Sequence, residues 1–197
     1  MKDKAEFYFR FLGRIFAPQK HYNMALIGLF FGSDTGNTEN VSLKIREMLG
    51  EETVDLYNFA ETEVEALAPY EYILFGAPTW YDGELQSDWE VILPQFDKVD
   101  FTGKKVAIFG LGDQWGYGEW FVDAIGIIAD KVVERGGTIC GHWSLEGYDF
   151  DASKASRNGK FLGLAIDEDN QPELTEERLN KWIPQVLKEF GLEVETE

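Results

Sequence analysis

The chain has 197 residues, 44% of them hydrophobic, and a formal net charge of −18. This length fits one domain with a substantial core, and the charge argues against a nucleic-acid partner. An acidic surface either confers solubility or steers the protein toward basic partner proteins. No apolar run approaches the length of a membrane span. A single cysteine, Cys140, excludes an internal disulfide and a cysteine-ligated cluster. Two histidines, His21 and His142, are too few and too far apart for a metal site, so electrons carried by this chain would ride on an organic cofactor.

Residues 1–23 differ in kind from the rest. They set Lys2, Lys4, Arg10, Arg14 and Lys20 against Asp3 and Glu6, a surplus of three positive charges that leaves about −21 on the remainder. Phe7, Phe9, Phe11, Leu12, Ile15 and Phe16 make the segment aromatic as well as basic. Arg10 and Arg14 interrupt any secretory apolar core, and the lack of serine does not suit a transit peptide. The expectation is a disordered tail or an upstream start outside the fold, with a short membrane-surface or partner-docking helix as the alternative. The fold is expected over residues 24–192, followed by an acidic tail, 193–197.

The apolar run from Leu26 to Phe31 has the composition of a fully buried strand. Gly32 ends it, and Ser33-Asp34-Thr35-Gly36-Asn37-Thr38 places three hydroxyls and a glycine in six residues. Val41, Ile45 and Leu49 then recur at helical spacing, which predicts a helix over Asn37–Gly50. Strand, hydroxyl-rich turn and helix N-terminus together make an anion site, because free N–H groups and the helix dipole both face the turn. The lysine of a nucleoside-triphosphate loop and the G-x-G-x-x-G dinucleotide fingerprint are both missing. A single phosphate ester fits better than a triphosphate; an ordinary hydroxyl-rich cap is the plain alternative.

Further strands are expected at Thr53–Tyr57, Glu71–Gly76, Lys104–Gly110 and Thr138–Trp143. Helices are expected at Glu61–Ala68, Asp88–Phe96, Glu119–Arg135 and Thr175–Phe190. Strands alternating with helices mean a parallel sheet covered on both faces. Ligands of such folds lie beyond the carboxyl ends of the strands, which directs attention to the loops after Phe31, Gly76, Gly110 and the last strand. The loop from Ala77 to Trp89 and the loop from Gly110 to Gly118 both flank aromatics with glycines, an arrangement suited to a flat ligand. Trp89, followed by helical spacing, is expected in the core, and Cys140 in a buried strand.

These loops resemble those of flavodoxins. Gly32-Ser33-Asp34-Thr35-Gly36-Asn37-Thr38-Glu39 is similar to that family's phosphate loop. Pro78-Thr79-Trp80-Tyr81-Asp82-Gly83-Glu84 is similar to its first flavin-facing loop, and Gly112-Asp113-Gln114 with Tyr117 to its second. The resemblance implies FMN, with its phosphate at Ser33–Thr38, Trp80 against one ring face and Tyr117 against the other. Gly110 and Leu111 fall within the implied contact set. His142–Leu164 resembles the segment that splits the last strand in long-chain flavodoxins, and the run Asp167–Gln171 implies that Asp169 lies near the ribityl chain. The implied fold is a flavodoxin-like, doubly wound, five-stranded parallel sheet of order 2-1-3-4-5 with helices on both faces. Trp115, Trp120 and the N-terminal extension depart from the family pattern.

The function so implied is low-potential one-electron transfer, without a substrate of its own. The implied partners are a flavodoxin reductase and acceptor enzymes with basic docking faces, met by a cytoplasmic monomer. Neutral donors around the phosphate, Asp34, Asp82 and Asp113 nearby, and water excluded by Trp80 and Tyr117 would all disfavour an anionic reduced flavin. The peptide between Tyr81 and Asp82 is the one whose carbonyl would turn toward flavin N5, with Gly83 giving it latitude. The alternative is an FMN-dependent quinone or nitro-compound reductase, which would need an open ring face and a nicotinamide site. A flavin-free signalling domain with a magnesium pocket is a third reading, which the hydroxyl-rich loop opposes.

Overall fold

A computed structural model describes residues 25–192. The expectations for residues 1–23 and 193–197 lie outside the described residues.

The strand β1 (Ile27–Phe31) is buried along its whole length. It pairs in parallel with β2 (Val54–Asn58) on one side and β3 (Tyr72–Trp80) on the other. Beyond β3 lies β5 (Lys105–Leu111), also parallel, while the two-residue β4 (Glu84–Leu85) folds back antiparallel on the end of β3. The edge beside β5 is shared. Its first half pairs with β6 (Thr138–Cys140) and its second half with β10 (Leu164–Ile166), both in parallel. The sheet therefore has the expected 2-1-3-4-5 order, with its fifth position filled by two short strands.

Alternation along β1 shows why both faces must be covered. Ile27, Leu29 and Phe31 pack into one apolar cluster with Val41, Ile45 and Leu49 of α1 (Asn37–Leu49) and Leu179, Trp182 and Ile183 of α4 (Thr175–Phe190). Phe30 points the other way, toward Trp89 of α2 (Ser87–Ile92) and Ile125 and Ile128 of α3 (Asp123–Glu134). Each fully buried side chain of this size contributes about 1.5–3 kcal/mol relative to exposure. Gly76 makes room within the sheet: a Cβ there would lie 2.3 Å from Phe109 Cζ. Trp89 and Cys140 are buried as expected. The helix α4 also matches its predicted span, with Pro184 inside it on the solvent-facing side.

Four elements are cut short, divided or extended relative to expectation. The helix predicted over Glu61–Ala68 is a short 3-10 turn, Val64–Leu67, and Asp88–Phe96 divides into α2 and a 3-10 segment, Leu93–Lys98. The strand predicted over Thr138–Trp143 stops at Cys140, where Gly141 takes φ +76 and turns the chain out of the sheet. Residues 141–163 then form a small antiparallel sheet from β7 (Trp143–Ser144), β8 (Ser156–Arg157) and β9 (Lys160–Phe161). Its Tyr148, Phe150 and Phe161 pack on Phe121 at ring-centroid separations of 5.7, 5.4 and 5.9 Å.

The fourth is β3, which does not end at Gly76 but continues through Trp80. Gly76 accepts from Gly32 N–H at 3.2 Å, so residues of its parity face β1. Pro78 shares that parity and lies past the end of β1, where its missing N–H leaves no ladder bond unmade. Pro78, Thr79 and Trp80 are thus strand residues rather than loop residues, as are Gly110 and Leu111 in β5.

Candidate cofactor site

Because β1, β3, β5 and β10 run in parallel, the segments that follow them gather at one edge of the sheet. The first, Gly32–Gly36, leads into α1. Gly36 has φ +88, and Ser33 Oγ accepts from its N–H at 3.1 Å. The helix start has no side-chain cap, and a Cβ added to Gly36 would meet nothing within 4 Å. A helix N-terminus left uncapped beside open space, with Ser33 and Thr35 next to it, is built to receive an anion. Asn37 is exposed and Thr38 buried at the same helix start. Asp34 turns elsewhere. Its Oδ1 accepts from Gln86 Nε2 at 2.8 Å and Ser87 Oγ at 3.2 Å, tying this loop to the start of α2.

The second segment is the tight turn Tyr81–Gly83 between β3 and β4. Tyr81 sits in the left-handed region at φ 42, unusual for a side chain of its size, and is 64% exposed. Asp82 is exposed beside it. Gly83 has φ +83, and a Cβ there would lie 2.5 Å from Asp123 Oδ2, so both conformation and space demand glycine. Trp80 is half-buried, and its Nε1 is buried with no hydrogen-bond partner. Thr79 is committed to the scaffold: its Oγ1 accepts from Ala124 N–H at 3.1 Å, capping α3.

The third segment, Gly112–Tyr117, is wound around two carboxylates. Asp113 Oδ1 accepts from Trp115 N–H at 3.0 Å, Gly116 N–H at 2.7 Å and Asn170 Nδ2 at 2.7 Å. Gln114 is buried and faces inward, donating Nε2 to Asp167 Oδ2 at 2.7 Å. Tyr117, 47% exposed, and Trp115, 67% exposed, stand out from this turn. Asp169, in the segment after β10, is exposed.

Burial alone would raise the Asp113 carboxyl, but hydrogen bonds from Gly116, Asn170 and Trp115 outweigh it and hold the group below its ordinary value. Asp169 moves the opposite way. Partial desolvation of its carboxyl raises it first, and the negative charges of Asp113, Asp167 and Glu168 raise it further. A negative guest near this loop therefore meets a field already unfavourable to negative charge. Among the described residues, no cluster of His, Cys, Asp and Glu could hold a metal ion.

The structure brings together at one edge the predicted Ser33–Thr38 group, Trp80–Gly83 and Gly112–Tyr117. It places Thr79, Gly110, Leu111 and Gln114 in supporting roles, since their side chains or backbone are engaged in capping, strand pairing or the loop interior. Sequence reasoning missed Gln86, whose Oε1 caps α2 by accepting from Asp88 and Trp89 N–H groups. The helix expected from Asp88 starts one residue earlier, at Ser87. Sequence reasoning also missed the pair Asp123 and Lys154, 2.8 Å apart, for which no local motif gives a signal.

The open anion cradle, the orphaned indole N–H of Trp80 and the exposed Tyr117 fit a flat ligand carrying one phosphate. The flavodoxin family model matches residues 29–182. A flavodoxin from a Nostoc species is 54% identical over 166 residues, covering 84% of this chain and 98% of that protein. Flavodoxin 1 of Escherichia coli is 50% identical over 171 residues, covering 86% and 97%. Among solved structures, Fusobacterium nucleatum flavodoxin bound to flavin mononucleotide superposes with a TM-score of 0.80 at 36% identity, over 84% of this chain and 99% of that one. The uncapped helix start, the split fifth strand position and these matches agree: the chain belongs to the flavodoxin family.

Proposed function

We propose that this flavodoxin binds FMN at the carboxyl edge of the sheet and serves as a low-potential one-electron carrier of the long-chain class. The observation that carries the reading is the uncapped N-terminus of α1 opening onto free space at Gly36. Ser33, Thr35, Asn37, Thr38 and the first-turn N–H groups hold the phosphate without a countercharge. Trp80 and Tyr117 flank the ring, and the buried Trp80 N–H gains a polar partner in the pocket. When bound, FMN supplies two successive one-electron steps at its ring system. The chain supplies the field: Asp113 is held ionised by Gly116, Asn170 and Trp115, so added negative charge on a neighbour is disfavoured and the reduced carrier gives up its electron readily. The Tyr81–Asp82 peptide, with Tyr81 already at φ 42 and Gly83 beside it, is the backbone group that reorients toward flavin N5.

The acidic balance, −18 over the chain, favours partners with basic docking faces, such as a flavodoxin reductase and acceptor enzymes. The carrier works as a cytoplasmic monomer. Among the described residues, no helix is long and apolar enough to cross a membrane. Anaerobic stepwise reduction of the purified yellow protein tests the reading. Two well-separated one-electron potentials support the carrier. A single two-electron step, with rapid bleaching by NADPH alone, would instead point to a quinone or nitro-compound reductase.

A further inference from the structure

We propose that Asp167 is the positioning residue of the cofactor pocket: one buried carboxylate locks the Tyr117 loop and the Asp169 loop into a single unit. The inference rests on the FMN reading for its consequence but not for its geometry. Asp167 follows β10 and has no exposed surface. Its Oδ2 accepts from Gln114 N–H at 3.1 Å and Gln114 Nε2 at 2.7 Å. Its Oδ1 accepts from Asp169 N–H at 3.1 Å and Asn170 N–H at 2.9 Å. The Asn170 amide spans both oxygens at 3.1 and 2.9 Å and continues to Asp113 Oδ1 at 2.7 Å.

The chain of contacts then reaches the Tyr117 turn and the inserted segment. Asp113 carbonyl oxygen accepts from Tyr117 N–H at 3.0 Å, which closes the turn presenting the aromatic ring. Gln114 Oε1 accepts from Asp149 N–H at 2.7 Å, which joins the same anchor to the inserted segment 141–163. Asp167 itself lies behind the pocket and works through Gln114, Asn170 and Asp113. An ionised carboxylate is acceptor-only, and every group around it here is a donor. The isosteric Asp167→Asn substitution replaces one acceptor by an NH2 group, and whichever way the amide turns, donor faces donor.

The test uses the full chain, first without FMN. In Asp167→Asn, amide hydrogen exchange at Gln114, Asp169 and Asn170 should accelerate by about tenfold or more, and the FMN dissociation constant should rise about ten- to a hundredfold. Visible circular dichroism of bound flavin, which reports the fixed Tyr117 geometry, should weaken. Adding Gln114→Glu to Asp167→Asn restores an acceptor opposite the new donor and should recover part of the affinity. A folded Asp167→Asn protein with native exchange overturns the proposal, whether its affinity is unchanged or has fallen through lost charge alone. If that variant does not fold, Gln114→Met removes only one arm of the anchor, and native exchange and affinity there overturn it equally. A wild-type chain that binds no FMN would defeat the cofactor reading, while the exchange result would still decide the anchor.

Discussion

Thr79 Oγ1 accepts a hydrogen bond from Ala124 N–H at 3.1 Å, so a residue at the end of β3 caps a helix 45 positions later in the chain. The helix cannot cap itself. Its N-cap position is Val122, held in the left-handed region at φ 49 and ψ 33, and a valine side chain has no acceptor. Thr79→Val keeps the shape and deletes the acceptor, and should cost about 1 kcal/mol of apoprotein stability. Thr79→Ser should retain most of it. Urea unfolding compares the three, and equal midpoints for threonine and valine would remove the capping role.

Asp123, in the first turn of the same helix, pairs with Lys154 Nζ at 2.8 Å and accepts Lys154 N–H at 2.7 Å. The carboxylate is buried whereas the lysine is half in water, so the two ends of the pair are not equivalent. Lys154→Met should cost no more than about 1 kcal/mol, since solvent still screens that side. Asp123→Ala should cost about 2–3 kcal/mol, because it also strands a backbone donor and removes charge from the helix start. Gly83→Ala clashes with this carboxylate, so it should be milder in the Asp123→Ala background than in wild type. A double-mutant cycle from unfolding curves reads that coupling.

Much of the fold was legible because period and burial coincide. The strand β1 reads as buried on both faces, α4 carries its apolar stripe through Pro184, and the proposed phosphate cradle is contiguous in sequence. What stayed hidden lies between segments. Nothing local to Asp34 shows that it binds Gln86 and Ser87, and nothing near Gln114 shows that it turns inward to Asp167. The end of β3 was misplaced because Pro78 reads as a breaker until the length of β1 is known. Asp167 stayed hidden for the same reason: burial separates it from Asp169 in the run Asp167–Gln171, and composition does not.

In the proposed site, the cradle at α1 separates phosphate recognition from ring recognition. Thr35 is exposed at the rim, and Gly36 has open space around it. Apoprotein should bind FMN at least about tenfold more tightly than riboflavin, which lacks the phosphate, since charge-assisted hydrogen bonds are worth about 1.5–3 kcal/mol. Thr35→Ala should narrow that ratio by weakening FMN alone, with the riboflavin constant and the unfolding midpoint unchanged. Titration by quenching of flavin fluorescence measures both constants. A ratio near unity in wild type would place the phosphate elsewhere.

Asp113 and Asp169 should give opposite pH signatures in the apoprotein. The Asp113 carboxyl is held below its ordinary 3.8 by hydrogen bonds that outweigh its burial, so its contribution to stability is present above 3.8 and is lost as pH falls through its lower native value. Asp169 is raised above 3.8 by partial desolvation of its carboxyl and by the neighbouring carboxylates. At neutral pH its ionisation therefore weakens the native state, and acidification through its native value relieves that cost before the unfolded chain begins to protonate. Asp113→Asn should accordingly be less stable than wild type at neutral pH, with the difference shrinking below 3.8. Asp169→Asn should be more stable than wild type at neutral pH, and its advantage should disappear at higher pH than the Asp113 deficit does. Urea-unfolding free energies across the acid range, fitted for the three proteins together, follow both crossings. Parallel curves for wild type and Asp169→Asn would show that the carboxylates around Asn170 do not interact in the native loop.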